Sequence, residues 1–229
     1  MLEAISEAVS LLLHLDRNLL EIILLTLFVS GSAVILAALF GVPCGTWLGM
    51  QPAKRVRWLT RIIYTLMGLP PVVGGLLVYM LIRRNGPLGS LGLLFTPPAM
   101  IMAQFLLATP IVIGLTSVSV RSKGREILAT LISLGADRGL VLRTIIREAR
   151  FGILAALITG FGRVVAEVGA VTMVGGNIEG FTRVMTTAIV LEVRQGKFAT
   201  GLALGIILLL LSFIINILLY RLQWGGSDE

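Results

Sequence analysis

Residues 22–53 run for 32 positions without an aspartate, glutamate, lysine or arginine, and the pattern returns over 21 positions at 62–82 and 23 positions at 198–220. A helix needs about 20 mostly apolar residues to cross the hydrocarbon core of a bilayer. In water, helices this long and this apolar would need protein on every side. Charged residues make up only 14% of the chain and hydrophobic ones 56%, against about 25% charged in soluble domains. The chain therefore reads as an all-α polytopic membrane protein. Five spans are expected, near 20–48, 58–82, 99–119, 151–174 and 199–222.

Residues 1–19 read as an amphipathic interfacial segment. Glu3 and Glu7 stand where a secretory signal carries basic residues, and no small-residue cleavage site follows Leu13. The connections fix an expected orientation. Twelve lysines and arginines fall on one side: Lys54 to Arg61, Arg121 to Arg150, and Arg221. Six fall on the other, and Arg163 lies within a span. Basic connections stay cytoplasmic, which places the N-terminus outside and the C-terminus inside. The same bias accounts for the net charge of +7. No aromatic-basic groove accompanies it, so nucleic acid is not an expected partner; membrane lipid is.

Gly41, Gly45 and Gly49 recur at spacings of four, as do Gly201 and Gly205, the pattern that lets membrane helices approach closely. Pro43, Pro70, Pro71 and Pro110 should kink or break their helices. Covalent chemistry finds no support. Gly175 and Gly180 have a P-loop separation, but Phe181 and Thr182 follow where the phosphate-binding lysine belongs. The single histidine, His14, sits in the interfacial segment, and the single cysteine, Cys44, reads as a small apolar residue packed inside a span. No zinc, metalloprotease or cysteine-histidine arrangement can be built from these.

The connection 122–153 is too regular for a loop. Ile127, Leu128, Leu131 and Ile132 form a helical stripe, Gly135 resembles a C-terminal cap, and Asp137 is placed to cap a second helix. Without further information this is a pair of basic surface helices near anionic lipid. The stretch "SLGADRGLVLRTII" nevertheless resembles the cytoplasmic signature of ATP-binding-cassette importer membrane subunits. Gly135 and Ile145 occupy its glycine and isoleucine. Ala129-Thr130-Leu131 replace its Glu-Ala-Ala, and Arg147-Glu148 its Leu-Pro. From about residue 20 onward the chain resembles the tungstate-type branch, near the molybdate and sulfate ones, most specifically over "REARFGILAALITGFGRVVAEVGAVTMVGGNIEGFTRVMTTAIVLE".

The resemblance implies a type I importer fold over 20–229, two copies of the permease, two cytoplasmic ATPase subunits holding ATP and magnesium, and an external substrate-binding protein. No cofactor is expected on this chain. It also implies that Ser133, Leu134, Gly135, Ala136, Asp137, Arg138 and Gly139 form a coupling element seated on the ATPase. The expected cargo is an oxyanion, tungstate first, with molybdate, sulfate or another small solute as alternatives. An ATPase-independent transporter or channel is the rival class.

Within span four, Arg163 and Glu167 stand four residues apart. An intramembrane charge costs about 2.5–3.5 kcal/mol on insertion scales and usually faces protein or a water-filled route. Two readings stay open: a structural ion pair, or a pathway and gate element in which each charge partly offsets the other. Thr172, Thr186 and Thr187 are weaker pathway candidates, since intramembrane threonines often bond their own helix. Residues 182–193 read as a short helix at the outer mouth that does not complete a crossing.

Overall fold

The computed structural model describes residue 6, residue 10 and residues 17–224, and no strand occurs among the described residues. The interfacial reading of 1–19, with His14, falls almost wholly outside them. In chain order the helices are α1 (Arg17–Met50), α2 (Arg57–Met67), α3 (Pro71–Ile82), α4 (Pro97–Ser133), α5 (Arg138–Glu148), α6 (Arg150–Val165), α7 (Gly169–Gly175), α8 (Met185–Arg194) and α9 (Phe198–Trp224). A single turn of 3-10 helix at Gly89–Leu91 interrupts the α3–α4 loop.

Three helices, α1, α4 and α9, are long and apolar enough to cross a membrane unaided. The other two expected spans are broken. α2 and α3 meet at 100°, α6 and α7 at 60°, giving up to five crossings if each bent pair counts as one. The first break follows from chemistry visible in the chain. Pro71 opens α3, and Pro70 before it takes an extended backbone (φ −59°, ψ 127°), because a residue preceding proline is crowded out of the helical region. The second break has no proline and depends on tertiary partners.

The Gly41-Gly45-Gly49 ladder is the seam between α1 and α4. A Cβ on Gly45 would lie 2.7 Å from the Ile113 carbonyl oxygen, and one on Gly49 2.8 Å from that of Ser117. Only hydrogen fits there. Cys44 lies on the opposite, exposed side of α1 rather than packed inside, beside exposed Phe40 and Trp47. That face offers apolar surface to lipid or protein and costs nothing in a bilayer.

α4 has 37 residues, so it is about 55 Å long against a hydrocarbon core of about 30 Å. The helical stripe expected at 127–132 is therefore the end of this span, not a separate short helix. Nothing in 121–133 breaks a helix except Gly124, which the interior tolerates. The two basic connections share one end of the bundle. Gly49 to Pro52 line a cavity with Val120, Arg121, Gly124 and Ile145. Val120, Val141, Ile145, Ala149 and Ile153 form a buried cluster beneath α5. At the other end Val29, Val78, Met100, Ala103, Ala170 and Val174 join α1, α3, α4 and α7.

Candidate functional site at the broken span and the elbow

Breaking a helix inside a membrane frees backbone groups that lipid cannot satisfy, so such backbone survives only where protein meets it. Around the break, between residues 164 and 170, three side chains do so. Gln104 on α4 donates from Nε2 to the Val164 carbonyl at 3.0 Å. Thr186 on α8 donates from Oγ1 to the Glu167 carbonyl at 2.9 Å. The Glu167 carboxylate, 5% exposed, accepts from the Ala170 N–H at 3.0 Å. A carboxylate at the start of α7 meets one of that helix's orphan donors and the positive end of its dipole.

Glu167 is thus a capping group. No salt bridge joins it to Arg163 among the described residues. The ion-pair reading fails because α6 ends at Val165, so the two residues do not share one helical face. Arg163 is half-buried, and its side chain makes no hydrogen bond or ion pair among the described residues. It lies 13 residues beyond the start of α6, about 20 Å along it.

The threonines divide. Thr172 donates to the Val168 carbonyl of its own helix at 2.7 Å, and Thr187 closes the first turn of α8 by bonding both N–H and C=O of Val184. Both line a cavity of about 350 Å³ between α7 and α8, together with Asn177 and Arg194. Their protons are committed, so neither can donate to an anion there. Thr186 holds the break. α8 itself is short, as expected: its first turn, Met185 to Ala188, is buried, with the Met185 N–H reaching Thr26 Oγ1 on α1 at 2.9 Å. Val193 and Arg194 at its end are exposed.

Gln104 was not among the residues singled out in the sequence. The signal was present: it is the one amide in the otherwise apolar run 99–108.

At the far end of α4 the chain turns through an elbow. Gly135 has φ +73°, the Ala136 N–H bonds the Leu131 carbonyl at 3.0 Å and the Leu134 N–H bonds that of Thr130. The six-to-one bond across a left-handed glycine closes a Schellman motif, and Leu131 and Ala136 both pack against the cluster beneath α5. Asp137 then caps α5 by accepting from the N–H groups of Gly139 and Leu140. The elbow faces outward: Ser133, Gly135, Asp137 and Gly139 are exposed and Leu134 is 76% exposed. Arg138 opens α5. Beneath them Ile145, fully buried, pins α5 to α4.

Comparison with known proteins places this chain in a family. The model of binding-protein-dependent transport system inner membrane components matches residues 41–223. The chain belongs to that family. It is a transport component rather than an enzyme, a permease of the inner membrane working in a system with an ATPase and a substrate-binding protein. The permease is 41% identical over 221 residues (96% of this chain, 97% of the relative) to the tungstate uptake system permease protein TupB of Peptoclostridium acidaminophilum. It is 38% identical over 221 residues (96% and 92%) to TupB of Campylobacter jejuni. A probable anion ABC transporter permease protein of Haloferax volcanii is 40% identical over 211 residues (89% and 91%).

Proposed function

We propose that this permease forms the membrane pathway of an ATP-binding-cassette importer for tungstate, acting as a homodimer with two ATPase subunits and an external binding protein. The similarity along nearly its whole length to tungstate permeases carries the reading. In this arrangement ATP and magnesium stay on the ATPases. The basic end of the bundle, holding 51–56 and the elbow, faces the cytoplasm. Leu134 and its neighbours from Ser133 to Gly139 seat on the ATPase, where an exposed leucine beside a rigid turn offers an apolar knob for a groove.

Arg163 supports the anion reading. An arginine at this depth with no carboxylate partner among the described residues is costly unless it faces a water-filled route, and Glu167 is committed to the α7 backbone. Two copies would place two such cations along the shared route. The test is ATP-dependent uptake of labelled tungstate into proteoliposomes holding permease, ATPase and binding protein, with molybdate and sulfate as competitors. Uptake without the ATPase would indicate a channel, and preferential loss of label to molybdate would reassign the cargo. A cysteine near Asn85 should label from outside and one near Gly139 from inside; both labelling from one side would overturn the orientation.

A further inference from the structure

α2 has a polar arc and an apolar one. Arg57, Thr60, Arg61, Tyr64 and Thr65 fall on the first, and Leu59, Ile62, Ile63, Leu66 and Met67 on the second, with Trp58 at the border. Protein covers only part of the apolar arc. Ile63 packs with Leu48, Val56 and Ile113, whereas Leu59, Ile62 and Leu66 are exposed and Trp58 is 74% exposed.

The direction of α2 is equally informative. α3 follows the first half of α4: a Cβ on Gly74 would lie 2.9 Å from Leu107 Cδ2, and Val78 and Ile82 share a buried cluster with Ala99, Met100 and Ala103. α2 is turned 100° from α3, so it runs across α4 rather than along it. Its neighbours on α4 fall between Ile113 and Ser122, beside Arg121, the first charge of that helix. This is the depth at which hydrocarbon gives way to headgroups.

Lys54, Arg55, Arg57 and Arg61 are all exposed, and none makes a salt bridge among the described residues. The chain has no acidic residue between Glu21 and Glu126. The Arg61 guanidinium lies 5.1 Å from the Trp58 ring centroid, so the aromatic and basic groups occupy one edge. A basic polar arc, a bordering tryptophan and an apolar arc open to the surroundings are the marks of a helix lying in the membrane interface. Water alone would satisfy the arginines and strand Trp58, Ile62 and Leu66. An apolar protein groove would cover the leucines and leave the cations unmatched. An anionic lipid meets both arcs.

We propose that α2 lies in the cytoplasmic headgroup layer and binds anionic phospholipid, with Arg57 and Arg61 on the phosphates and Leu59, Ile62 and Leu66 among the acyl chains. The inference rests on the basic end of the bundle being cytoplasmic and on nothing about the cargo. Two measurements test it, both on the full-length permease with its ATPases in mixed phosphatidylcholine–phosphatidylglycerol nanodiscs. In the first, Trp47→Phe and Trp224→Phe leave Trp58 as the sole tryptophan, and one lipid or the other carries brominated acyl chains at equal mole fraction. Brominated phosphatidylglycerol should quench Trp58 more strongly than brominated phosphatidylcholine. That preference should fall about fivefold for each of Arg57→Gln and Arg61→Gln, the worth of one basic residue at an anionic surface. Removing the same charge at the other end of the bundle, with Arg83→Gln and Arg84→Gln, should leave it unchanged.

The second measurement keeps every basic residue, so it stands even where the arginine variants fold poorly. Spin labels at Leu59→Cys and Leu66→Cys, each in a Cys44→Ala background, report depth in the bilayer. The two positions share one face, about 10 Å apart along the helix. A helix within about 20° of the membrane plane keeps their depths within about 4 Å, and a crossing helix separates them by about 10 Å. The larger separation overturns the in-plane helix. Equal quenching by the two lipids, or a preference indifferent to Arg57 and Arg61, overturns the lipid site. Trp58 quenched by neither lipid would mean that a second copy or the ATPase covers this face, and overturns it as well. Neither readout involves tungstate or ATP turnover, so failure of ATP-driven uptake refutes the proposed function alone.

Discussion

Two nearly isosteric substitutions at the break in the fourth span should behave oppositely. Thr186→Val removes the only hydrogen bond to the Glu167 carbonyl among the described residues. Hydrogen bonds between membrane helices average about 0.6 kcal/mol, and leaving a buried acceptor unpaired adds about 1–3 kcal/mol in full desolvation. Partial compensation in the unfolded, membrane-inserted chain lowers the sum, so about 1–2 kcal/mol of destabilisation is expected. Gln104→Leu also deletes a hydrogen bond, but the Val164 carbonyl keeps the Glu167 N–H at 3.1 Å. The same change discards Gln104 Oε1, buried with no partner, whose removal offsets the loss.

For a chain of this size 1 kcal/mol moves the thermal midpoint by about 2–4 °C, so Thr186→Val should melt roughly 2–8 °C below the parent and Gln104→Leu within about 2 °C of it. Tryptophan fluorescence during heating in detergent reads both. Equal losses, or a larger loss for Gln104→Leu, would mean the break is not held by the bonds described.

Three further outcomes follow from the geometry. Glu167→Gln and Arg163→Gln should have additive effects on stability within about 0.5 kcal/mol; a coupling well above that in a double-mutant cycle would restore the ion pair. Gly135→Ala meets open space but a left-handed backbone, costing about 1–2 kcal/mol at the elbow. Membrane insertion should be normal, substrate-stimulated ATP hydrolysis reduced, and Gly135→Asn milder; normal coupling in the alanine variant would remove the elbow from the drive mechanism. Gly45→Leu drives a side chain into the Ile113 carbonyl and Thr116 and should cost about 1–3 kcal/mol or more, whereas Gly205→Leu, with nothing within 4 Å of its Cβ, should leave the detergent-solubilised melting point unchanged.

The parts of this fold legible in the chain are those set by local chemistry. Charge-free runs mark α1 and α9, Pro70-Pro71 marks the bend before α3, and Gly135 with Asp137 marks the elbow, because hydropathy, missing N–H groups and capping act within a few residues. The second bend was not legible. Val164 to Gly169 contains no proline, and Ala166 and Glu167 favour helix. Its open backbone is met by Thr186, 19 residues from the Glu167 carbonyl, and by the Glu167 carboxylate on the Ala170 N–H, with Gln104 reaching in from 60 residues away. Arg163 and Glu167 looked paired for the same reason: their spacing suits a helix whose end is set by distant groups. Likewise the basic residues after Val120 suggested that a span had ended, but charge locates the membrane surface and does not stop a helix.

The length of α4 has a mechanical consequence. Pro110 interrupts its hydrogen-bond ladder about 20 Å from one end and about 35 Å from the other, which is where a long helix bends most easily. Such a rod is two stiff arms joined at a hinge. A shift of the elbow by about one helical turn, about 5 Å, needs a bend of only about 8° at Pro110. The long arm can therefore follow its cytoplasmic end while the short arm stays packed against its neighbours.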